Sequence, residues 1–547
     1  MLLVPRYLSA WLTLPPYDVT TSARSHSGNG NRPRRHYDCL SRWRQRQWAP
    51  NLIRDLAQSD LNGQVRLYDE YYESAQRNAE FGNWVHSDAD VEPTSEWSYE
   101  AVESLEAALT GADVVILSTQ YNPAETFVHD LDIPEDYGIY GAVAATIGPG
   151  GIFRAMRTVP LYRKFAAAIR EHCPDAWVFN YTNPVHFVTR ALYDEFPEIN
   201  ALGLCHEVLG TRHRLARYAR EELDMDAERS DISVNVKGIN HFTWVDEARC
   251  KGVDLWPVLE DLVDGDEGHQ EFTWDDLEDE SVFVDNWQVT WELFRRFDVL
   301  PAAGDRHLVE YATSFIQNGQ EGLNRWGVKR TGSDYRAKHW TPAESDQTTD
   351  VEAWLEGDKE FELEESNEVF VDILRALVGR DTYVTNINLP NVGQVSDLEE
   401  NAVVETNATV RANEVKPMAA GGFPRPVRAL IQATSIRLRP SLKPPARAIS
   451  TPHSKASSST NRSARSRPKQ RENCSPNSSL CRKDISRTGT SQTRPSSRSL
   501  RLIRLSVDTL SRNRPVGSFF AVRTHRHGDR GLEQSVLEEV LLLVGRL

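Results

Sequence analysis

The 547-residue chain has few cysteines and no long apolar segment. Its six cysteines are scattered without paired spacing, which excludes a disulfide framework and fits a reducing cytoplasm. No apolar run is long enough to span a bilayer, and residues 1–16 lack the charged lead and cleavage site of a secretory signal. We therefore expect a cytoplasmic protein with no membrane partner.

Basic residues are scarce in the middle of the chain. Residues 51–420 carry 30 lysines and arginines against 70 aspartates and glutamates, whereas residues 1–50 carry 8 against 2 and residues 421–547 carry 25 against 7. One domain does not usually change the sign of its charge twice. The acidic middle is typical of a salt-adapted, halophilic protein. The basic ends are rich in arginine, serine and proline, which is typical of chain that cannot bury a core.

Strands and helices alternate through the acidic middle. Residues 65–69, 112–118 and 177–181 are predicted to form strands, and 112–118 is a continuous apolar run. Helical spacing over 150–171 predicts a helix. This alternation predicts an α/β fold: a Rossmann-like, doubly wound parallel sheet followed by a mixed α/β catalytic portion, in an architecture like that of lactate and malate dehydrogenases. The predicted divisions are a basic segment 1–45, a Rossmann-like domain 46–195, a catalytic domain 196–430 and a basic low-complexity tail 431–547.

Two reactive side chains follow apolar segments. Cys205 comes after residues 199–204, and His241 comes after residues 232–239. Open α/β sheets place their sites at the ends of buried parallel strands, so we expect both side chains to project from such ends. One thiolate and one imidazole form an incomplete shell that leaves room for substrate oxygens and water. The pair therefore suggests a catalytic metal; a buried cysteine and a capping histidine are the ordinary alternative.

Seven motifs run through the middle two-thirds of the chain. They are Val65 to Asp69, Gly148-Pro-Gly-Gly151, Asn180-Tyr-Thr-Asn-Pro184, Cys205-His-Glu-Val208, Gly238-Ile-Asn-His241, Pro301-Ala-Ala-Gly-Asp-Arg-His307 and Asn386-Ile-Asn-Leu-Pro390. Together they resemble glycoside hydrolase family 4, the NAD- and manganese-dependent glycosidases. Neither end of the chain fits this resemblance.

The resemblance implies hydrolysis of unphosphorylated α-linked hexosides or hexuronides by a redox-elimination route. NAD⁺ takes hydride from C3, and Mn²⁺ or another divalent metal, chelated by sugar oxygens, stabilises the enediolate that forms when a base removes the C2 proton. The aglycone leaves from C1, water adds and the hydride returns. The cofactor is regenerated in every turnover.

Four site residues carry over from the motifs on both sides of Cys205. Cys205 and His241 fall on the metal-ligand positions. Asn183 falls on a substrate-hydroxyl contact, and a plain strand-to-helix turn is its alternative. His206 occupies the position where phospho-sugar members have an acid, so it either assists departure of the aglycone or contacts the sugar.

The expected C2 base and the expected cofactor contacts lie elsewhere in the chain. Asp305 stands where other branches have a tyrosine and is the expected base, with Tyr311 as the fallback; a turn aspartate after glycine is the ordinary alternative. Asp69 is placed to accept bonds from the adenosine ribose, with a strand-end turn as its alternative. Ser118 and Gln120 are further cofactor-binding candidates.

The glycine loop that the family uses to bind the dinucleotide is missing. Gly148-Pro-Gly-Gly151 is only a weak phosphate signal, because the proline removes one amide. Reading residues 36–45 one base later permits an apolar strand that ends in Leu-Val-Gly-Gly-Gly-Ser, and reading residues 446–454 one base earlier permits a helical segment. We hypothesise frameshifts near Arg46 and near residues 431–436, and expect the chain as written to be inactive or poorly folded. Stop codons in the alternative frames of the gene would contradict this hypothesis.

The expected partners are a small-molecule glycoside and further copies of the chain, in a homodimer or homotetramer; nucleic acid is not expected. Two other classes of function stay open. An NAD-dependent 2-hydroxyacid dehydrogenase would share the Rossmann half but would not need a Cys–His metal pair. A nucleic-acid-binding protein would depend on the basic tail.

Overall fold

The computed structural model describes residues 2–5, 48–87, 89–119, 124–333, 335–336, 346–364, 366 and 368–438. All of them belong to the first of two units into which contacts divide the chain, Met1–Ala446. Gln120, most of the predicted segment 1–45 and the tail after residue 438 lie outside the described residues.

The described residues form strands and helices that alternate over most of the chain. The strands are β1 Leu2–Pro5, β2 Gly63–Leu67, β3 Trp97–Ala101, β4 Ala112–Leu117, β5 Trp177–Asn180, β6 Asn200–Gly203, β7 Ile232–Ile239, β8 Phe242–Cys250, β9 Val253–Asp254, β10 Leu300–Pro301, β11 Tyr383–Pro390, β12 Val403–Arg411 and β13 Glu414–Pro417. The helices are α1 Trp48–Ala57, α2 Tyr72–Ser87, α3 Leu105–Leu109, α4 Ala124–Glu135, α5 Gly148–His172, α6 Val185–Glu195, α7 Glu207–Leu223, α8 Trp256–Asp264, α9 Trp274–Leu277, α10 Gln288–Phe297, α11 Asp305–Tyr311, α12 Gln320–Asn324, α13 Asp346–Glu356, α14 Phe370–Leu377 and α15 Arg425–Leu438.

All of these strands join one sheet. Its order is β10-β8-β7-β12-β11-β6-β5-β4-β1-β2-β3, with β13 beside β12 and β9 beside β8. Strands β2 and β3 are parallel, as are β4, β5 and β6, whereas β7, β8, β11 and β12 pair antiparallel. The predicted class, a Rossmann-like parallel half followed by a mixed α/β portion, is confirmed.

The slot between β2 and β4 is filled by β1, which runs antiparallel to both neighbours. In a strand–helix–strand unit the strand before the helix runs parallel to the strand after it. Helix α1 precedes β2, yet no strand parallel to β2 leads into α1 within the described residues. The sheet is therefore continuous across the slot without the strand that a Rossmann unit begins with.

Alternate side chains of β4 enter two apolar clusters on opposite faces of the sheet. Val115 and Leu117 pack with α5 and α6, while Val114 and Ile116 pack with α1, α2 and α14. This alternation follows from the two-residue period of a strand. Helix α14 buries a stripe at 370, 373, 374 and 377, and burial of each large apolar side chain stabilises the fold by roughly 1.5–3 kcal/mol.

One expectation about strand direction differs from the structure. Strand β7 was expected to be parallel, and this is wrong, because β7 forms an antiparallel hairpin with β8. It is buried along most of its length and so has the apolar pattern of a parallel strand. Helix α15 continues past residue 430, where the tail was expected to begin, and Ile431 is fully buried. No helix of the described ranges is long and apolar enough to cross a membrane.

Candidate active site

His241 lies in the two-residue turn that joins β7 to β8. Residues 239 and 242 pair across the turn, and His241 takes a left-handed conformation with a φ of 65°. This conformation is uncommon for residues other than glycine, although asparagine, aspartate and histidine adopt it more often than the rest, and in folded proteins such strain clusters at functional sites. The side chain is almost fully buried, and its ring stacks on the ring of His307 with 3.9 Å between the centroids.

Three side chains from different elements converge at this point. Glu207 begins α7, His307 lies on α11, and their ligand atoms and that of His241 all lie within 4.8 Å of one another. Nε2 of His307 is 3.3 Å from Oε1 of Glu207, and Oε2 of Glu207 accepts a bond from the Gly304 amide at 2.6 Å. We call Glu207, His241 and His307 the metal group. Within the described residues this is the one cluster of histidine, cysteine and acidic side chains with such spacing.

The charges within the metal group suit a divalent cation. Burial acts to raise the pKa of Glu207, but His307, His206 and His241 outweigh it and hold that pKa well below its usual value. Burial, together with His307, holds the pKa of His241 well below its usual value. A metal requires a deprotonated carboxylate and neutral imidazoles. Glu207 and His241 are therefore held in the protonation states that coordination needs.

Cys205 is not brought into the metal group. It lies just beyond β6 and is half-buried, and burial, with the nearby Glu405 and Glu207, raises the pKa of its thiol well above the usual value. A metal ligand must be the thiolate, and a bound cation would itself favour that form. The assignment of Cys205 as a metal ligand stays a prediction. The other predicted ligand, His241, lies in the metal group with Glu207 and His307, which sequence reasoning did not single out.

His206 borders the metal group, and Asn183 lies beyond the end of β5, the strand beside β6. His206 precedes α7 and is 29% exposed, with Nε2 3.8 Å from Oε1 of Glu207 and Nδ1 3.9 Å from Oε1 of Glu368. Asn183 follows β5, and its buried Oδ1 accepts no hydrogen bond from the described residues. A free buried acceptor is suited to a substrate hydroxyl. The predicted roles of both residues stay predictions.

Asp305 is used to cap a helix. One carboxylate oxygen accepts a bond from the Val289 amide at 2.9 Å, and the other accepts bonds from the amide and hydroxyl of Thr290 at 2.8 and 2.7 Å. These groups belong to the first turn of α10, whose amides lack partners within the helix. Burial and the neighbouring Asp285 raise the pKa of Asp305 to about 7. With 1% exposure and both oxygens occupied, Asp305 is poorly placed to remove a proton from a sugar.

The alternative base, Tyr311, is also engaged. Its hydroxyl donates to the Asn240 carbonyl at 3.0 Å, and its ring stacks on Phe242 at 4.6 Å. Burial raises the pKa of this phenol well above its usual value. The tyrosine thus supports the turn that carries His241, and its role as a base stays a prediction.

The capping role of Asp305 can be tested by stability. Asp305→Ala is expected to lower the free energy of unfolding by about 2–4 kcal/mol, because three donors at the start of α10 lose their acceptor. Asp276, which caps α9 at the surface with Thr273, provides the matched control, and Asp276→Ala should cost about 1 kcal/mol. Urea unfolding measures both. If Asp305→Ala is as stable as wild type, Asp305 does not stabilise the start of α10 and is again a candidate for the base.

The predicted cofactor contacts lie at the carboxyl ends of β2 and β4. Asp69 is exposed, and its Oδ1 accepts a bond from the Tyr71 amide at 2.8 Å. Ser118 is half-exposed and directly follows β4. They flank the slot that β1 occupies, which is where a doubly wound sheet binds its ligand. Their roles stay predictions.

Sequence reasoning missed Glu207, His307 and Arg306 as site residues, although all three stand inside motifs quoted above. The usable signal was ligand type: a glutamate beside Cys205-His206 and a histidine two residues after Asp305. What could not be read from the sequence was that these segments meet His241.

Two models of one protein family match most of the residues that the structure describes. Residues 46–221 match Family 4 glycosyl hydrolase, and residues 236–438 match the C-terminal domain of the same family. Among curated proteins, the chain is 40% identical over 391 residues to the alpha-galacturonidase of Thermoanaerobacter italicus, covering 71% of this chain and 83% of the relative. It is 39% identical to the alpha-galacturonidase of Bacillus subtilis, covering 70% of this chain and 83% of that relative.

Solved structures show the same fold. The crystal structure of lplD from Bacillus subtilis is 36% identical with a TM-score of 0.67, and the match covers 73% of this chain and 89% of lplD. A 6-phospho-alpha-glucosidase from gut microorganisms, solved with NAD and Mn²⁺, is 18% identical with a TM-score of 0.58, covering 73% of this chain and 86% of that one.

Proposed function

This chain belongs to family 4 of the glycosyl hydrolases and is a glycosidase, and we propose that its substrate is an α-linked glycoside of a hexuronic acid. Its alpha-galacturonidase relatives are about 40% identical to it, whereas an alpha-galactosidase of Bacillus subtilis is 28% identical over 331 residues. Because the Rossmann-like half and the C-terminal half both match this glycosidase family, the match does not support the 2-hydroxyacid dehydrogenase alternative.

Arg306 is the observation that favours a charged sugar. It lies on α11 between Asp305 and His307, and its guanidinium sits 4.5 Å above the ring of Phe283, with Nη1 3.4 Å from the hydroxyl of Thr331. No carboxylate lies within 4.0 Å of it among the described residues. Burial lowers the pKa of Arg306, and Glu207, Asp285 and Glu310 oppose this from farther away. A partly buried cation is stabilised by a direct counter-ion, which a uronate carboxylate would supply.

The metal group fits a divalent cation such as Mn²⁺. Two imidazoles and one carboxylate give three protein donors and leave further positions open. A cation bound there would act as a Lewis acid on sugar oxygens. The chain's own residues would do the rest: Asn183 binds a hydroxyl, Arg306 holds the carboxylate, and His206 lies beside the metal group as the candidate partner of the leaving group.

The described residues do not provide a complete site for NAD. Asp69 and Ser118 suit the ribose side, but no glycine occurs between residues 31 and 62, on either side of the start of α1. A pyrophosphate needs a close backbone approach at that helix start. We therefore keep the proposal that the chain as written cannot complete the NAD-dependent route. The family match begins at residue 46 and ends at residue 438, near both sites of the proposed frameshifts, which supports that proposal.

The substrate proposal is tested by binding of the sugar alone. In the presence of Mn²⁺, calorimetry is expected to show tighter binding of D-galacturonate than of D-galactose. Arg306→Gln should reduce that preference about 10- to 100-fold, because a charge-assisted hydrogen bond contributes about 1.5–3 kcal/mol. Arg306→Lys should retain part of it, since lysine keeps the charge but not the planar fork.

Arg325 provides the control for the Arg306 variants. Its guanidinium also packs on an aromatic ring, that of Trp326 at 4.6 Å, but it lies outside the metal group. Arg325→Gln should leave the preference unchanged. Equal binding of the two sugars by wild type, or an unchanged preference in Arg306→Gln, would refute the proposal.

A further inference from the structure

A buried hydroxyl contacts the ring of His241 at Nδ1. Oγ1 of Thr146 lies 2.7 Å from Nδ1 of His241, and the two residues are 0% and 3% exposed. We propose that Thr146 is a positioning residue that sets the tautomer and orientation of His241, and that the glycine-rich start of α5 serves to place it. The inference rests on the metal group proposed above.

The hydrogen bond decides which ring nitrogen is free for the metal. A neutral imidazole carries one proton, and the nitrogen without it holds the lone pair that a metal binds. We assign the Nδ1–H tautomer, in which the Thr146 hydroxyl accepts the bond and Nε2 is left as the ligand atom. Metal-bound histidines commonly donate their other N–H to a fixed acceptor, which also fixes the plane of the ring.

The Gly148-Pro-Gly-Gly151 motif acts by close packing. A Cβ on Gly151 would lie 2.4 Å from the carbonyl carbon of Thr146, and a Cβ on Gly150 would lie 2.8 Å from Cβ of Ala144. No side chain fits at either position without moving the backbone of residues 144–146. The two glycines therefore let this loop lie against the first turn of α5, and the loop carries Thr146 to His241. Close packing therefore accounts for the glycines of the Gly148-Pro-Gly-Gly151 motif, which was only a weak signal for phosphate binding.

Glu310 holds the same loop through two backbone amides. Its Oε1 accepts bonds from the amides of Val143 at 2.8 Å and Ala144 at 2.6 Å. Glu310 lies on α11, one turn after His307. Helix α11 thus carries His307 and, through Glu310, binds the loop that positions His241. The stacking of the two imidazoles follows from this shared support.

The test is metal binding by the full chain, without NAD and without sugar. Thr146→Val keeps the shape of the side chain and removes the hydroxyl, so it is expected to weaken Mn²⁺ binding about 10- to 100-fold, as measured by electron paramagnetic resonance. Thr146→Ser keeps the hydroxyl and should bind within about threefold of wild type. Thr158 supplies the control, because it is equally buried but its hydroxyl donates within α5 to the Arg154 carbonyl. Thr158→Val should not change the affinity.

A spectroscopic readout separates orientation from general damage. Co²⁺ bound by Thr146→Val should show an altered visible absorption spectrum, while Co²⁺ bound by Thr146→Ser should match wild type. Affinity and spectrum unchanged in Thr146→Val, or equal losses in the serine and valine variants, would overturn the inference. If wild type itself binds no Mn²⁺, the proposed metal group fails instead, and the two failures are thereby distinguished.

Discussion

A protein made from a gene with both reading frames restored is expected to hydrolyse an α-galacturonide at least about a thousandfold faster than the chain as it stands, because the cofactor carries the difficult step. The physical reason is the slot beside β2. The described chain fills it with an antiparallel strand and offers no strand-to-glycine turn before α1. Restoration of residues 36–45 in the shifted frame would supply both.

Three measurements check this expectation. Calorimetry should show NAD⁺ binding only in the restored protein. Its hydrolysis should stop when NAD⁺ or the divalent metal is removed, with no accumulation of NADH over many turnovers. Product formed in D₂O should carry deuterium at C2, which a two-carboxylate glycosidase would leave unlabelled.

Restoration of only the C-terminal frame is the control, because it leaves the slot as it is, and this protein should not bind NAD⁺. The hypothesis fails if the chain as written binds NAD⁺ and turns over, or if the shifted frames contain stop codons.

His307→Ala is expected to remove Mn²⁺ binding at concentrations where wild type is saturated, with a loss of two orders of magnitude or more, roughly 3 kcal/mol. The variant deletes one of three donors and also leaves the buried Glu207 carboxylate without its partner at 3.3 Å. Electron paramagnetic resonance of free Mn²⁺ measures the loss directly. In the frame-restored protein, turnover should fall with it.

Two companion variants give this result its meaning. His213 lies on α7 with Glu207 but outside the metal group, and His213→Ala should bind Mn²⁺ normally. In the frame-restored protein, Cys205→Ser is expected from the family resemblance to abolish metal-dependent turnover and leave NAD binding nearly intact. Full loss of Mn²⁺ binding in Cys205→Ser with no loss in His307→Ala would indicate that Cys205 and His241 are the metal ligands.

The sequence predicted the parallel strands β2, β4 and β5 but not β3, which is found at Trp97–Ala101. The prediction was most direct for β4, because a continuous apolar segment of four to eight residues between helices has few other interpretations. Strand β4 was expected at 112–118 and is found at Ala112–Leu117. The antiparallel direction of β7 could not be predicted in this way, since a strand buried on both faces has the same pattern in either orientation. The two-residue turn at His241 also lacks the glycine that usually identifies a hairpin.

The site was predicted in part, and what was missed depends on distant contacts. His241 was named, but its partner His307 is 66 positions further along the chain, and nothing local joins them. Asp305 looked like a free acid after a glycine, whereas it caps a helix that begins seventeen positions earlier in sequence. A cap supplied by another element leaves no capping signature in the helix it serves.

The antiparallel strand β1 shows how little a sheet demands of a strand that fills a gap. A missing strand leaves two rows of amides and carbonyls unpaired, and any short extended segment can satisfy them, because the backbone groups are the same in every residue. Donor-strand complementation between separate proteins uses the same property. Here Leu2–Pro5 repairs the hydrogen-bond ladder from within the chain. This strand restores the continuity of the sheet but brings no glycine loop with it. The sheet is therefore complete at the position where the binding loop for the dinucleotide is missing.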